Sequence, residues 1–131
     1  MIRILLADDL TIIRKGVRQI LTQAYPTAQI EEVEEGEQWA DKLRDRTWDM
    51  IISDLPKPDE GGYHALQRIR EDFPSLPVLI LSLYNRDYHA FRALQAGASG
   101  YLGKDAAPDE LLSAVRQILA GKKYIAAPKD N

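Results

Sequence analysis

Cysteine is absent from the 131 residues of this chain, which removes disulfides, thiolate metal sites and cysteine nucleophiles together. That fits a reducing compartment, and the cytoplasm is the expected location. Long hydrophobic runs are absent too. Nowhere do apolar residues continue for the roughly twenty positions a membrane span needs. The opening Met1-Ile2-Arg3-Ile4-Leu5-Leu6 also meets Asp8 and Asp9 before a signal-peptide core could form. No membrane association is expected. Positive charge is not in surplus, the formal net charge being -3, so the chain alone is not expected to bind nucleic acid. Glycine-rich phosphate loops of the P-loop or dinucleotide type are missing as well.

What is present is a 45% share of hydrophobic residues, enough at this length for one core, in a chain too short for two ordinary domains. Short apolar runs at 3–7, 28–33, 50–53, 78–81 and 101–102 alternate with amphipathic stretches. In those stretches Ile13, Val17, Ile20 and Leu21 share a helical face, as do Trp39 with Leu43, Leu66 with Ile69 and Phe73, and Phe91 with Leu94. Leu111, Leu112, Val115, Ile118 and Leu119 form the clearest stripe. Pro108 with Asp109 and Glu110 suits a helical first turn, Gly97 and Gly121 suit left-handed C-terminal caps, and Pro74 closes the third helix. The alternation predicts an α/β fold, a doubly wound five-stranded parallel sheet in the order 2-1-3-4-5 within three α/β/α layers. Glu31, Glu32 and Glu34 mark the second strand as an edge. Residues 1–124 form the expected domain, and 125–131 a tail or the start of a linker.

Four of the five runs end at their C-terminal side in polar groups a core would not choose: Asp8 and Asp9, Asp54, Ser82, and Lys104. Ligands of open parallel sheets bind outside the carboxyl ends of the strands, so folding is expected to gather these groups in one crevice. Three carboxylates there raise one another's pKa, and one lysine does not balance them. A hard dication with oxygen ligands does, which points to Mg²⁺ or Mn²⁺. A carboxylate beside such an ion can attack a phosphoryl group and form an acyl phosphate, with Lys104 neutralising charge on the phosphoryl oxygens. Taken singly, each residue has a plainer reading. Asp9 before Thr11 suits a helix N-cap, Asp54 before Pro56-Lys57-Pro58 a loop, Lys104 a solvated surface, and Ser82 alone carries little. Their joint placement at successive strand ends favours the site. His64 and His89 lack partners at metal-ligand spacing, Trp39 reads as core, and Tyr63, Tyr84 and Tyr88 as helix surface near the site.

In order and spacing, Ile4-Leu5-Leu6-Ala7-Asp8-Asp9, Ser53-Asp54-Leu55, Leu81-Ser82 and the run from Ala96 to Asp105 resemble the response-regulator receiver family, within it the NarL/FixJ type. The resemblance covers essentially the whole chain and implies a flavodoxin-like fold. It implies further that Asp9 and Asp54 ligate Mg²⁺ directly, Asp8 through water, and the Pro56 carbonyl as well. Asp54 would take a phosphoryl group from a phosphohistidine on a sensor histidine kinase, Lys104 and Ser82 would bind its oxygens, and Tyr101 would turn as Ser82 is drawn in. Phosphorylation would promote a homodimer, with transcription regulated through a C-terminal helix-turn-helix domain. This chain stops before such a domain, and is expected to be a fragment. Three departures stand out: Leu55-Pro56-Lys57-Pro58 follows the acceptor where a small polar residue, methionine, proline and glycine are usual; Leu10 replaces a frequent histidine; and Asp105 follows Lys104 in place of proline.

The competing reading keeps the fold but makes it a phosphorylation-independent interaction module, its metal site spoiled by the Pro56-Lys57-Pro58 loop. An aspartate-based phosphatase would want a general acid where Pro56 stands, and flavin binding rests on fold analogy alone.

Overall fold

Strands buried on both faces read as unbroken apolar runs rather than as alternation, and the central strands here are of that kind. The computed structural model describes residues 1–8, 10–33, 37–54, 62–82 and 87–125, of which 37–40, 62–65, 87–89 and 125 are described by backbone alone. Strands β1 (Arg3–Ala7), β2 (Gln29–Val33), β3 (Met50–Asp54), β4 (Val78–Ser82) and β5 (Gly100–Gly103) pair in parallel in the order β2-β1-β3-β4-β5. That is the order expected from the alternation. Helices α1 (Thr11–Ala24), α2 (Glu37–Asp45), α3 (Gly62–Asp72), α4 (Asp87–Gln95) and α5 (Pro108–Leu119) connect and cover them. Ile4, Leu6, Met50 and Leu79 pack with Val17 and Leu21 of α1 and with Leu111 and Val115 of α5. On the opposite face Leu5, Ile51, Val78 and Ile80 pack with Leu43 of α2, Leu66 and Ile69 of α3 and Ala93 of α4. The three layers follow from this division.

Two sequence expectations are revised. The five strands are joined by a sixth, β6 (Tyr124–Ile125), parallel to β5 with Gly100 opposite Tyr124 and Tyr101 opposite Ile125. Two residues are too few to show a period. The chain reaches them because Gly121, at φ 87°, turns it out of α5. The face of α4 also differs, for Phe91 is 62% exposed while Ala93 and Ala96 are buried. Small side chains let the helix approach the sheet closely, and the bulky ring is turned outward.

The glutamates of β2 alternate between the two faces, as strand geometry requires. Glu32 pairs with Arg14 and Arg18 of α1 at 3.2 and 3.1 Å, and Glu31 with Lys42 of α2 and the following Arg46 at 3.7 and 3.4 Å. Near the other edge, Arg70 of α3 donates through Nε and Nη2 to the Gly97 carbonyl at 3.1 and 2.6 Å, and through Nη1 to the Pro74 carbonyl at 2.7 Å. One guanidinium thus caps the end of α3 and holds the end of α4 to it.

Gly100 is required for space rather than for backbone freedom. A Cβ there would lie 2.9 Å from the Tyr124 carbonyl oxygen and 2.9 Å from Ile118 Cδ1. The side-chain tip can swing, but the backbone oxygen of β6 cannot without losing its register. Gly100→Ala is expected to destabilise the domain by about 1–3 kcal/mol through overpacking, read from urea denaturation. It should also speed hydrogen exchange at the Tyr124 amide, which donates to the Ser99 carbonyl at 2.9 Å; an unchanged exchange rate would contradict this account of Gly100.

Candidate functional site

The polar strand ends converge because of register. Ala7 of β1 is opposite Ser53 of β3, Asp54 is opposite Leu81 of β4, and Ser82 is opposite Gly103 of β5. Asp8, Asp54, Ser82 and Lys104 therefore leave neighbouring strands at one level. Lys104 stands just beyond β5, two strand spacings of about 4.8 Å from β3, and only a long side chain crosses that gap. Its Nζ lies 2.9 Å from Asp54 Oδ1 and 3.2 Å from Asp8 Oδ1, with the side chain 3% exposed. Its amide donates to the Ser82 carbonyl at 2.9 Å, so the root of the lysine is tied to the end of β4.

Asp8 is buried, and its groups are held one by one. Its amide donates to the Val33 carbonyl at 3.3 Å, and Oδ1 accepts from the Leu10 amide at 2.8 Å as well as from Lys104. Its carbonyl accepts from Nη1 of Arg14. Oδ2 is buried with no hydrogen-bond partner among the described residues. A buried carboxylate oxygen in that position asks for a cation or water. Asp54, at 17% side-chain exposure, is the more open of the two acids.

Of the expected site, Asp8, Asp54 and Lys104 are brought together by ion pairs, and Ser82 stands at the end of β4 with its carbonyl accepting from the Lys104 amide. Asp9 and Pro56 lie outside the described residues, as do Leu55, Lys57, Pro58 and Tyr84, while His64, His89, Trp39, Tyr63 and Tyr88 are described by backbone alone. The N-cap of α1 is Leu10, which makes no side-chain cap bond. Ser82 is wholly buried, and Tyr101, 2% exposed, sits in the core beneath α4. Among the described residues no three acidic or histidine side chains form a metal-binding group; the expected third carboxylate is Asp9. The described part nevertheless fits a hard dication, because two carboxylates share one ammonium and one buried oxygen is left over.

Arg14 was not marked by sequence reasoning. The available signal is its position three residues before Val17 and seven before Leu21, on the apolar stripe of α1, where a cation is out of place.

The sequence profile of the response regulator receiver domain matches residues 4–116. The response regulator UvrY of Escherichia coli (strain K12) is 33% identical over 127 residues, 97% of this chain and 58% of UvrY. The chain thus spans little more than half of that relative. A two-component response regulator of the LuxR family from Aurantimonas sp. SI85-9A1 superposes with a TM-score of 0.83 at 34% identity, covering 96% of this chain and 89% of the other. RcsB from Salmonella enterica serovar Typhimurium, bound to promoter rprA in the presence of phosphomimetic BeF3-, gives 0.77 at 26% identity, covering 88% of this chain and 66% of RcsB.

If Asp8 Oδ2, which has no partner among the described residues, receives Mg²⁺, the ion stabilises the folded state by mass action, about 2.7 kcal/mol at a free concentration a hundred times the Kd. Urea denaturation with and without MgCl2 should show that gain for the wild type and lose most of it for Asp8→Asn. Equal gains in both proteins would contradict the assignment.

Proposed function

Because the chain belongs to the response regulator receiver domain family, we propose that it is a phosphoacceptor module of two-component signalling, modified on Asp54. The observation that carries this reading is the single buried ammonium of Lys104 set between Asp54 and Asp8 at the carboxyl end of the sheet. Ion pairing aims the Asp54 carboxylate, and its partial exposure leaves a line of approach for a phosphoryl donor. In the transfer an Asp54 oxygen forms a bond to phosphorus while the phosphorus–nitrogen bond to the phosphohistidine of a sensor kinase breaks, and the imidazole leaves. Lys104, already within 2.9 Å of Asp54, moves from neutralising a carboxylate to neutralising phosphoryl oxygens.

Asp8, Asp9, Asp54 and the carbonyl of Pro56 would hold Mg²⁺ or Mn²⁺. Such an ion, when bound, supplies further positive charge to the phosphoryl oxygens. The protein's share is acceptance and self-catalysed transfer, with no separate substrate turned over. Ser82 and Tyr101 are the switch in this reading, and the amide of Lys104 on the Ser82 carbonyl joins the two strand ends that carry the change. The modification shifts the conformation only by binding one state better than the other.

Output through a homodimer, and through a DNA-binding domain to which 125–131 would begin the linker, belongs to this reading; the DNA-binding part is supported by the longer UvrY and by RcsB on its promoter with a phosphomimetic. The cytoplasm is the matching location. Among the described residues no helix is long and apolar enough to cross a membrane.

Incubation with acetyl phosphate and Mg²⁺ should add a single phosphoryl group, seen by intact-protein mass spectrometry, and Asp54→Asn should take none. A variant modified as readily as the wild type would remove Asp54 from this role. A wild type that takes no phosphoryl group would favour the interaction-module reading instead.

A further inference from the structure

Arg14 has the features of a working residue that the transfer chemistry does not use. Its side chain is 9% exposed, and it lies in α1 where the neighbouring stripe is apolar. A leucine or methionine would fill that space without the desolvation that a guanidinium suffers. The positive end of the helix dipole opposes it as well, and α1 has no acidic residue in its first turn to offset that. What it gains is a set of bonds. Nη1 donates to the Asp8 carbonyl, Nε to Glu32 Oε1 at 3.2 Å, and Nη2 to Thr11 Oγ1 at 3.4 Å. The second oxygen of Glu32 accepts from Arg18 at 3.1 Å, so the anchor is itself anchored.

We propose that Arg14 is a positioning residue for the metal site: clamped by Glu32 of the edge strand, it fixes the Asp8 carbonyl and so orients Asp8 toward the cation. The reason is local geometry. A planar, forked guanidinium can hold the Asp8 carbonyl oxygen and Glu32 together, which a point-like ammonium cannot. The amide of Asp8 is tied to β2 at Val33, so Arg14 and β2 grip the residue from its two ends. This inference rests on reading Asp8 as part of a Mg²⁺ site.

The sign of one measurement separates positioning from simple charge. A cation placed near a cation site repels the metal, so if charge were the whole effect, Arg14→Met would tighten Mg²⁺ binding and Arg14→Lys would match the wild type. Positioning requires the reverse, with both variants binding more weakly, in the range of about 10–100-fold found when groups supporting metal ligands are removed. Calorimetric titration of the metal-free proteins with MgCl2 gives the affinities, and urea denaturation in EDTA gives stability separately. A weakened Kd in protein that is fully folded at the start of the titration is the expected result. Unchanged or tighter binding in both variants, whatever the loss of stability, overturns the proposal. Should Arg14→Met fail to fold, Arg14→Lys decides, since it keeps the charge and most of the side-chain volume. A wild type with no measurable Mg²⁺ affinity overturns the metal-site reading and this inference together, whereas wild-type binding with unaltered variants overturns this inference alone.

Discussion

The ion pairing of Lys104 with Asp54 and Asp8 is the constraint around which the upper end of the sheet is arranged. Bringing carboxylates together at adjoining strand ends is unfavourable by itself, and the fold makes it unavoidable, since strands in parallel register finish at one level. The lysine relieves part of that repulsion from two strands away. It can do so only because its own backbone is tied to Ser82 and its side chain is shielded from water. Among the described residues one ammonium stands against two carboxylates, and Asp8 Oδ2 is buried there with no hydrogen-bond partner.

The same economy of partners appears away from the crevice. Each glutamate of β2 is met by two bases from its own side of the sheet, and Arg14 extends one of these clusters inward to the Asp8 backbone. Partly exposed pairs such as Arg18 with Glu32 and Lys42 with Glu31 contribute little stability individually, so their value is orientation. They join the outermost strand to the helices on both faces, though Oε2 of Glu31 is buried with no hydrogen bond among the described residues. Arg70 makes a comparable tie between α3 and α4 with backbone carbonyls as its acceptors.

The sheet order and the described members of the crevice were legible in the sequence for a definite reason. A parallel strand buried on both faces leaves an apolar run, and a polar residue at the end of such a run is conspicuous. Asp8, Asp54, Ser82 and Lys104 all carry that mark. Phe91 misled because a large aromatic outweighs alanines in any reading of helical faces, whereas Ala93 and Ala96 are what the sheet admits. Strand β6 was illegible because pairing along two residues depends on where Gly121 sends the chain and on the missing side chain of Gly100. Arg14 was passed over since its partners, Glu32 and a backbone oxygen, are set by tertiary structure.

The brevity of β6 has a consequence for how copies of the domain can meet. Its two residues offer an approaching chain few unpaired backbone groups, and at the far side β2 meets any newcomer with Glu31 and Glu32 already engaged by flanking bases. Intermolecular strand addition, the route by which parallel sheets aggregate, is opposed by shortness on one flank and by charge on the other.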